Sequence, residues 1–204
     1  MADACPRFEE DLAGGRPVIG VDEVGRGPLA GPVVAAAAYL PDTRAVAGLR
    51  DSKALSEAQR RKLAAALQSC AVVSVAAASA MAVDEIGIER ATHLAMQRAV
   101  ARLAAPGRAL VVVDGTRAPS FEGRDSLCQV KADARCPSVA AAAIVAKILR
   151  DRAMVQLAAR HAHYGWSTNK GYGSAQHRAA IRLHGPTRHH RRSFLTRILD
   201  DVAG

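Results

Sequence analysis

Aromatic side chains are scarce in this sequence: three Phe, three Tyr and one Trp among 204 residues. The core must therefore be assembled from Ala, Val, Leu and Ile, a composition that favours close packing of helices on a sheet. Cysteine is nearly as sparse, and Cys5, Cys70, Cys128 and Cys136 form neither a Cys-x-x-Cys pair nor a metal-ligand spacing. That excludes a disulfide scaffold and a zinc module, and makes a reducing cytoplasm the expected setting. Apolar runs such as Cys70 to Val83 fall short of the roughly 20 residues a membrane span requires, and no basic-then-apolar leader opens the chain. No membrane partner is expected. Acid is what the C-terminal third lacks. Residues 131–204 hold 13 Lys or Arg against 4 Asp or Glu, whereas residues 1–130 hold 15 of each, so the whole excess of +9 lies at that end. Such asymmetry points to a polyanionic partner, although charge alone fits a solvated basic helix face equally well.

At this length, with 50% hydrophobic and 23% charged residues, one self-sufficient domain and a monomer are expected. Short β-rich runs occur at Pro17–Asp22, Pro32–Leu40, Val72–Ala78, Ala109–Val113 and Leu127–Val130. Helical stretches span Ser56–Gln68, Glu89–Ala104, Pro137 to about His163, and Ser174–His184. Strands first, then strands alternating with helices, is the order of an α/β fold with a mixed sheet covered on both faces. Residues 1–16 read as an N-terminal tail, 17–204 as the domain, and the chain from about 160 as a C-terminal helical extension.

Carboxylates interrupt these apolar strands at their ends: Asp22 and Glu23 after the first, Asp114 after the fourth, Asp133 after the fifth. Taken singly, an Asp after a strand is more often a turn former or helix cap than a ligand, and Asp114-Gly115 is a good turn signal. Taken together, acids converging at one sheet end repel one another unless a cation lies between them. Without a Cys/His ligand set that cation is a hard, oxygen-preferring one, Mg²⁺ or Mn²⁺. Neighbours on a regular strand face opposite ways, so Asp22 and Glu23 reach one centre only if the strand ends or bulges between them. Gly25 and Gly27 would permit that departure.

The segment Asp22-Glu23-Val24-Gly25-Arg26-Gly27-Pro28-Leu29-Ala30-Gly31-Pro32 resembles the opening motif of ribonuclease HII, the type 2 ribonucleases H. Asp51-Ser52-Lys53, Asp114-Gly115, Asp133 with the Ala-rich helix through Lys147 and Arg150-Asp151, Lys170-Gly171-Tyr172-Gly173, and Arg192-Ser193-Phe194 follow in that family's order. The chain departs from the pattern at Gly87, Ala132 and Ala143, none of them a ligand. The resemblance implies a ribonuclease H-like fold, a five-stranded mixed sheet flanked by helices, and a two-metal site of Asp22, Glu23, Asp114 and Asp133, with Asp22 bridging the ions. It implies hydrolysis of the RNA strand of RNA·DNA hybrids and incision 5′ of single ribonucleotides in duplex DNA, leaving a 3′-hydroxyl and a 5′-phosphate. It further implies that Gly25, Arg26 and Gly27 read the 2′-hydroxyl and that Tyr172 packs on the neighbouring deoxyribose. Ribonuclease HIII, which usually carries an added N-terminal domain, and a non-catalytic binding module of the same fold are the alternatives.

For the rest of the substrate path, Lys53, Lys147, Lys170 and the C-terminal arginines, Arg191 and Arg192 among them, are expected to neutralise phosphates. Tyr164 and Trp166 are expected in a small satellite core. The histidines between His161 and His190 lack a metal spacing and are assigned surface or phosphate-proximal positions. No clear sliding-clamp-binding motif appears after Phe194.

Overall fold

A computed structural model describes residues 4–49, 52 and 55–200. Its centre is a five-stranded sheet in the order β3-β2-β1-β4-β5. β1 (Val18–Val24), β2 (Val33–Tyr39) and β3 (Val72–Ala78) form an antiparallel meander, and β4 (Leu110–Asp114) and β5 (Ser126–Gln129) extend it in parallel on the other side of β1. The mixed α/β architecture and the five strands match the expectation from the sequence.

Two long helices sandwich the sheet, and strand parity decides which residues meet which helix. Ile19, Val21, Val111 and Val113 face α4 (Ile88–Ala101) and pack with Met96. Val18, Leu110 and Val112 take the other face and pack with Val139 of α5 (Pro137–Arg160). Gly20 belongs to this second set. A Cβ there would lie 2.1 Å from the Ser138 carbonyl carbon, so the absent side chain sets how closely α5 approaches. Beside it, Ala36 and Ala38 of β2 meet Ala140–Ala142 of α5, all fully buried, which is the close packing that a core poor in rings requires. α2 (Glu57–Leu67), opened by a Ser56/Gln59 capping box, rests on the outer side of α5.

The segment expected as a tail is largely a helix. α1 (Pro6–Ala13) begins with Pro at its first position and ends on left-handed Gly14. Its Glu9 is buried and accepts hydrogen bonds from the Ser138 amide at 2.8 Å and hydroxyl at 2.7 Å, closing the N-terminus of α5. The Pro and Gly punctuation was present in the sequence, and so were Phe8 and Leu12, four residues apart on the face that packs inward, but the stretch is only eight residues long. Another short helix, α3 (Ala80–Ile86), capped by Ser79, also went unexpected.

Beyond α5, α6 (Trp166–Asn169), α7 (Ala175–His184) and α8 (Thr196–Asp200) build the C-terminal extension. Tyr164, Trp166, Ile181 and Leu195 bury against Met154 of α5, so the satellite core is present. The family departures fit locally. Ala132 sits in a 3-10 turn (Ala132–Ala134), the left-handed step falling on Lys131 before it, and Gly87 has φ +81°, where glycine is at ease.

Candidate active site

The acids gather where β1 and β4 stop pairing. The last bonded parallel pair is Val21↔Val113, so Asp22 and Asp114 lie side by side one step further, both on the α5 face. Asp133 reaches the same face from the 3-10 turn leading into α5. One carboxylate oxygen from each of Asp22, Asp114 and Asp133 falls within 4.8 Å of the others. Asp22 and Asp133 are buried, and Asp114 is half-buried. Backbone amides hold two of them in place: Glu23 N–H donates to Asp22 Oδ1 at 2.7 Å, and Ala132 N–H to Asp114 Oδ1 at 2.7 Å. Burial drives the Asp22 carboxyl well above its ordinary pKa, and the charges of Glu23, Asp114 and Asp133 push it further in that direction.

Glu23 obeys the parity rule. No bulge separates it from Asp22: Asp22↔Ala36, Glu23↔Ala35 and Val24↔Val34 pair in unbroken register. Glu23 is not among the three acids whose oxygens lie within 4.8 Å of one another, yet its charge acts on Asp22 more strongly than that of Asp114 or Asp133. It lines a cleft of about 420 Å³ with Met96, Arg26, Arg117 and Asp114, so Asp114 is common to both places. A roomier cleft, about 710 Å³ near Ser79, Arg160 and His189, contains none of the four acids.

The loop after β1 supplies the next layer. Gly25 has φ +92°, and a Cβ there would strike the Arg150 guanidinium, so its missing side chain makes room for Arg150. Gly27 is exposed, and a Cβ on it would meet only Tyr172 Cε1, at 3.9 Å. Tyr172 is 47% exposed, which rules out the core-filling role. Arg26 is exposed, with its guanidinium 3.8 Å from Glu23.

The lysines lie elsewhere. Lys170 lines a groove between α2 and α5 with Arg60, Asp151 and Arg152, and Lys147 is paired with that Asp151 at 2.7 Å. Asp51 and Lys53 fall outside the described residues.

Two expectations fail. Arg191 is no phosphate contact: it is completely buried, and its guanidinium donates to the carbonyls of Gly25, Arg26 and Gly31. Nor are the histidines all superficial. His177 and His190 are buried with Nε2 atoms 3.1 Å apart, and Trp166 Nε1–H donates to His177 Nε2 at 3.0 Å. His190 and Arg191 lie between α7 and α8, where no helical period marks them as buried, whereas His177 shares the inner stripe of α7 with Ala180 and Ile181, a spacing the sequence does contain. Arg150, also fully buried, was legible in part: Ala142, Ala146, Arg150 and Met154 recur every fourth residue along the inner stripe of α5.

With this geometry in view, the relatives decide the family. The family profile described as Ribonuclease HII matches residues 19–197. The chain belongs to the ribonuclease HII family. Curated Ribonuclease HII proteins include one from Cereibacter sphaeroides, 49% identical over 95% of this chain and 93% of the relative, and one from Ruegeria pomeroyi, 50% identical over 88% and 76%. Among solved structures, the ribonuclease H2 from Pyrococcus horikoshii OT3 superimposes with a TM-score of 0.76 at 25% identity, covering 92% of this chain and 99% of that one. The RNase HII of the PCNA:RNase HII complex from Archaeoglobus fulgidus gives 0.72 at 26%, covering 86% and 94%. The Bst-RNase HIII complex with Mn²⁺ shares the fold, with a TM-score of 0.74 at 23% identity, and this chain covers 72% of it. Membership in the ribonuclease HII family makes the chain an enzyme, an endoribonuclease of the ribonuclease H class. The fold is the ribonuclease H-like one that the resemblance implied.

Proposed function

We propose that this ribonuclease hydrolyses the RNA strand of RNA·DNA hybrids and incises 5′ of single ribonucleotides in duplex DNA, using hard divalent cations, Mg²⁺ or Mn²⁺, held by Asp22, Asp114 and Asp133 with Glu23 beside them. The observation that carries it is the convergence of three carboxylate oxygens within 4.8 Å, two of the carboxylates being buried. Three charges so close, partly out of water, repel strongly, and a bound dication converts that repulsion into attraction. The donor set is all oxygen, which suits Mg²⁺ or Mn²⁺ and not zinc. Such ions supply Lewis-acid stabilisation of phosphoryl charge and an activated water.

The chain's own residues do the remainder. The amides of Glu23 and Ala132 fix two carboxylates before any ligand arrives, so little reorganisation is left for the reaction. Arg26 and Arg117, in the cleft shared by Glu23 and Asp114, offer cations to a phosphodiester beside the acids. Gly27 and Tyr172 form the exposed face on which a sugar lies, Gly27 giving main-chain access and Tyr172 a flat apolar surface. Cleavage of the P–O3′ bond leaves a 3′-hydroxyl and a 5′-phosphate. Lys147 and Lys170 contact more distant phosphates, Lys147 after exchanging its partner Asp151.

The test is incubation with a duplex carrying one ribonucleotide, with and without Mg²⁺. Cleavage 5′ of that ribonucleotide only when metal is present is expected. Binding without cleavage would favour the inert module, and failure at single ribonucleotides with cleavage of hybrids would favour the ribonuclease HIII-like reading.

A further inference from the structure

Two guanidiniums lie buried behind the loop that links β1 to β2, and the acid cluster does not account for either. Arg191 donates from Nη1 to the Arg26 carbonyl at 2.7 Å, from Nη2 to the Gly25 and Gly31 carbonyls, and from Nε to Gly31 at 3.1 Å. Arg150 donates to the carbonyls of Pro32 at 3.0 Å, Lys170 at 3.0 Å and Ala30 at 3.2 Å. Both side chains are fully buried, and among the described residues neither has a carboxylate in ion-pair range. A buried cation without an acid partner is expensive. Here every hydrogen bond from the two guanidiniums goes to a backbone oxygen, with the Phe194 ring 5.3 Å from the guanidinium of Arg191 and the charge of Asp84 acting on it from beyond ion-pair range. The two forks together grip five carbonyls between Gly25 and Pro32, plus that of Lys170.

The consequence follows from peptide geometry. Carbonyl oxygen and amide hydrogen point in opposite directions across a planar trans peptide, and every peptide here is trans. With the Gly25 and Arg26 carbonyls drawn inward to Arg191, the amides of Arg26 and Gly27 are turned outward, to the side of exposed Gly27 and Tyr172. Neither amide donates a hydrogen bond within the protein among the described residues. Two successive outward N–H groups form an anion-accepting concavity, and a cation on the carbonyl end of each peptide polarises its amide further.

We propose that Arg191, braced by Arg150, is a positioning residue of the ribonuclease reaction: it orients the peptides at Gly25-Arg26 and Arg26-Gly27 so that their amides present donors to the sugar-phosphate of the substrate nucleotide beside the acid cluster. The fork is essential, because one side chain must reach three carbonyls from fixed directions; an ammonium is a point donor on a flexible stem and cannot. Arg150 completes the arrangement by tying the same loop to Lys170, two residues before Tyr172. The inference rests on the substrate reading above, whose failure would appear in the parent enzyme. Failure of this inference appears only on comparing variants with the parent.

The experiment compares Arg191→Lys and Arg191→Met with the parent, reading kcat and KM on a single-ribonucleotide duplex, affinity for the all-DNA duplex of the same sequence, Mn²⁺ affinity, and melting temperature. Both variants should lose about tenfold or more in kcat/KM after correction for the folded fraction, as misplaced donors do, with Lys nearer to Met than to the parent. All-DNA affinity and Mn²⁺ affinity should stay within about twofold. A loss no larger than the unfolded fraction, or one shared equally by all-DNA binding, would overturn the positioning role. Amide hydrogen exchange on the parent is independent of whether the variants fold. The Arg26 and Gly27 amides should exchange rapidly when free and slow down when the ribonucleotide duplex binds in Ca²⁺. Amides already protected in the free enzyme, or unchanged on binding, would overturn it.

Discussion

Two clusters of like charge lie near one end of the sheet, one anionic and one cationic, and the protein treats them differently. Asp22, Asp114 and Asp133 crowd together, and the backbone amides that donate to Asp22 and Asp114 leave the mutual repulsion standing, as the upward shift of Asp22 records. Arg150 and Arg191 lie deeper, but each spreads its guanidinium over carbonyls that would otherwise be orphaned. Burial pulls the Arg191 pKa down to about 10, still far above neutrality, so it remains charged. The first cluster is poised for a ligand that the chain does not contain. The second is already satisfied and acts as framework. Buried charge alone therefore does not mark a site; the criterion is whether the protein itself completes the partners.

The sharpest way to break this contrast is to neutralise one member of each cluster. Asp22→Asn should lower cleavage by roughly 10³-fold, on the order of 4 kcal/mol in the barrier. In chelator its melting temperature should equal or exceed the parent's, since a disfavoured buried charge is gone, and Mg²⁺ should raise the melting point of the parent more than that of the variant. Near-normal turnover would remove Asp22 from the site. Arg150→Met should do the reverse to stability. Leaving the Ala30, Pro32 and Lys170 carbonyls unpaired should cost about 3 kcal/mol, read as a fall in urea midpoint at unchanged slope. A midpoint within error of the parent would mean that Arg150 is not framework.

The same distinction explains what could be read from the sequence. Acids at strand ends are conspicuous because a carboxylate after Leu110-Val111-Val112-Val113 violates a local pattern, and the strands that carry Asp22 and Asp114 were legible from their β-branched runs. Glu23 was constrained as well: parity demanded either a bulge or a different face, and the register chose the face. Arg191 was not legible, because its partners are carbonyls more than 150 residues distant, and a carbonyl has no letter in the sequence. The glycines were half legible. Their conformational freedom was evident, but that Gly25 yields to Arg150 and Gly27 to open space depends on which way the loop faces. Glu9 closing α5 from 129 residues away was hidden for the same reason as Arg191.

Acid titration sharpens the cationic side of the comparison. The segment bearing Arg191 is anchored by His190, which accepts from the Thr187 amide at Nδ1 and faces His177 at Nε2. Burial, reinforced by the neighbouring histidines, pushes the His190 pKa down to about 3. The folded protein therefore keeps His190 neutral, while the unfolded chain takes up a proton near the ordinary value of about 6.5. Stability contributed by this group is complete above that pH and is lost as pH falls toward 3. The loss at pH 5 should be about 2 kcal/mol. Urea midpoints at pH 7.5 and 5.0 for the parent and His190→Asn check it: the variant should lose less between the two pH values. An equal loss in both proteins would place the acid sensitivity in other groups.

The smallest effect, and the most selective, belongs to the exposed face. Tyr172 is nearly half exposed and Gly27 has an unstrained backbone with open space at its Cβ position, so neither contributes much to the core. Removing the ring or adding a methyl should shift the melting temperature little, within about 0.5 kcal/mol of stability for a surface change. A ribonucleotide differs from its neighbours by one hydroxyl, however, and the surface on which its sugar lies must hold it in register with the acids. Tyr172→Ala should lower cleavage at a single embedded ribonucleotide by about tenfold while changing hybrid cleavage less, because a longer RNA strand offers other registers that a junction does not. Gly27→Ala, whose methyl would sit beside Tyr172 Cε1, should produce a similar loss through crowding, with Mn²⁺ affinity unaltered. The double variant should then lose less than the product of the two, since both changes disturb one contact surface. Full additivity would separate the two residues, and unfolding of Tyr172→Ala would return the ring to the framework.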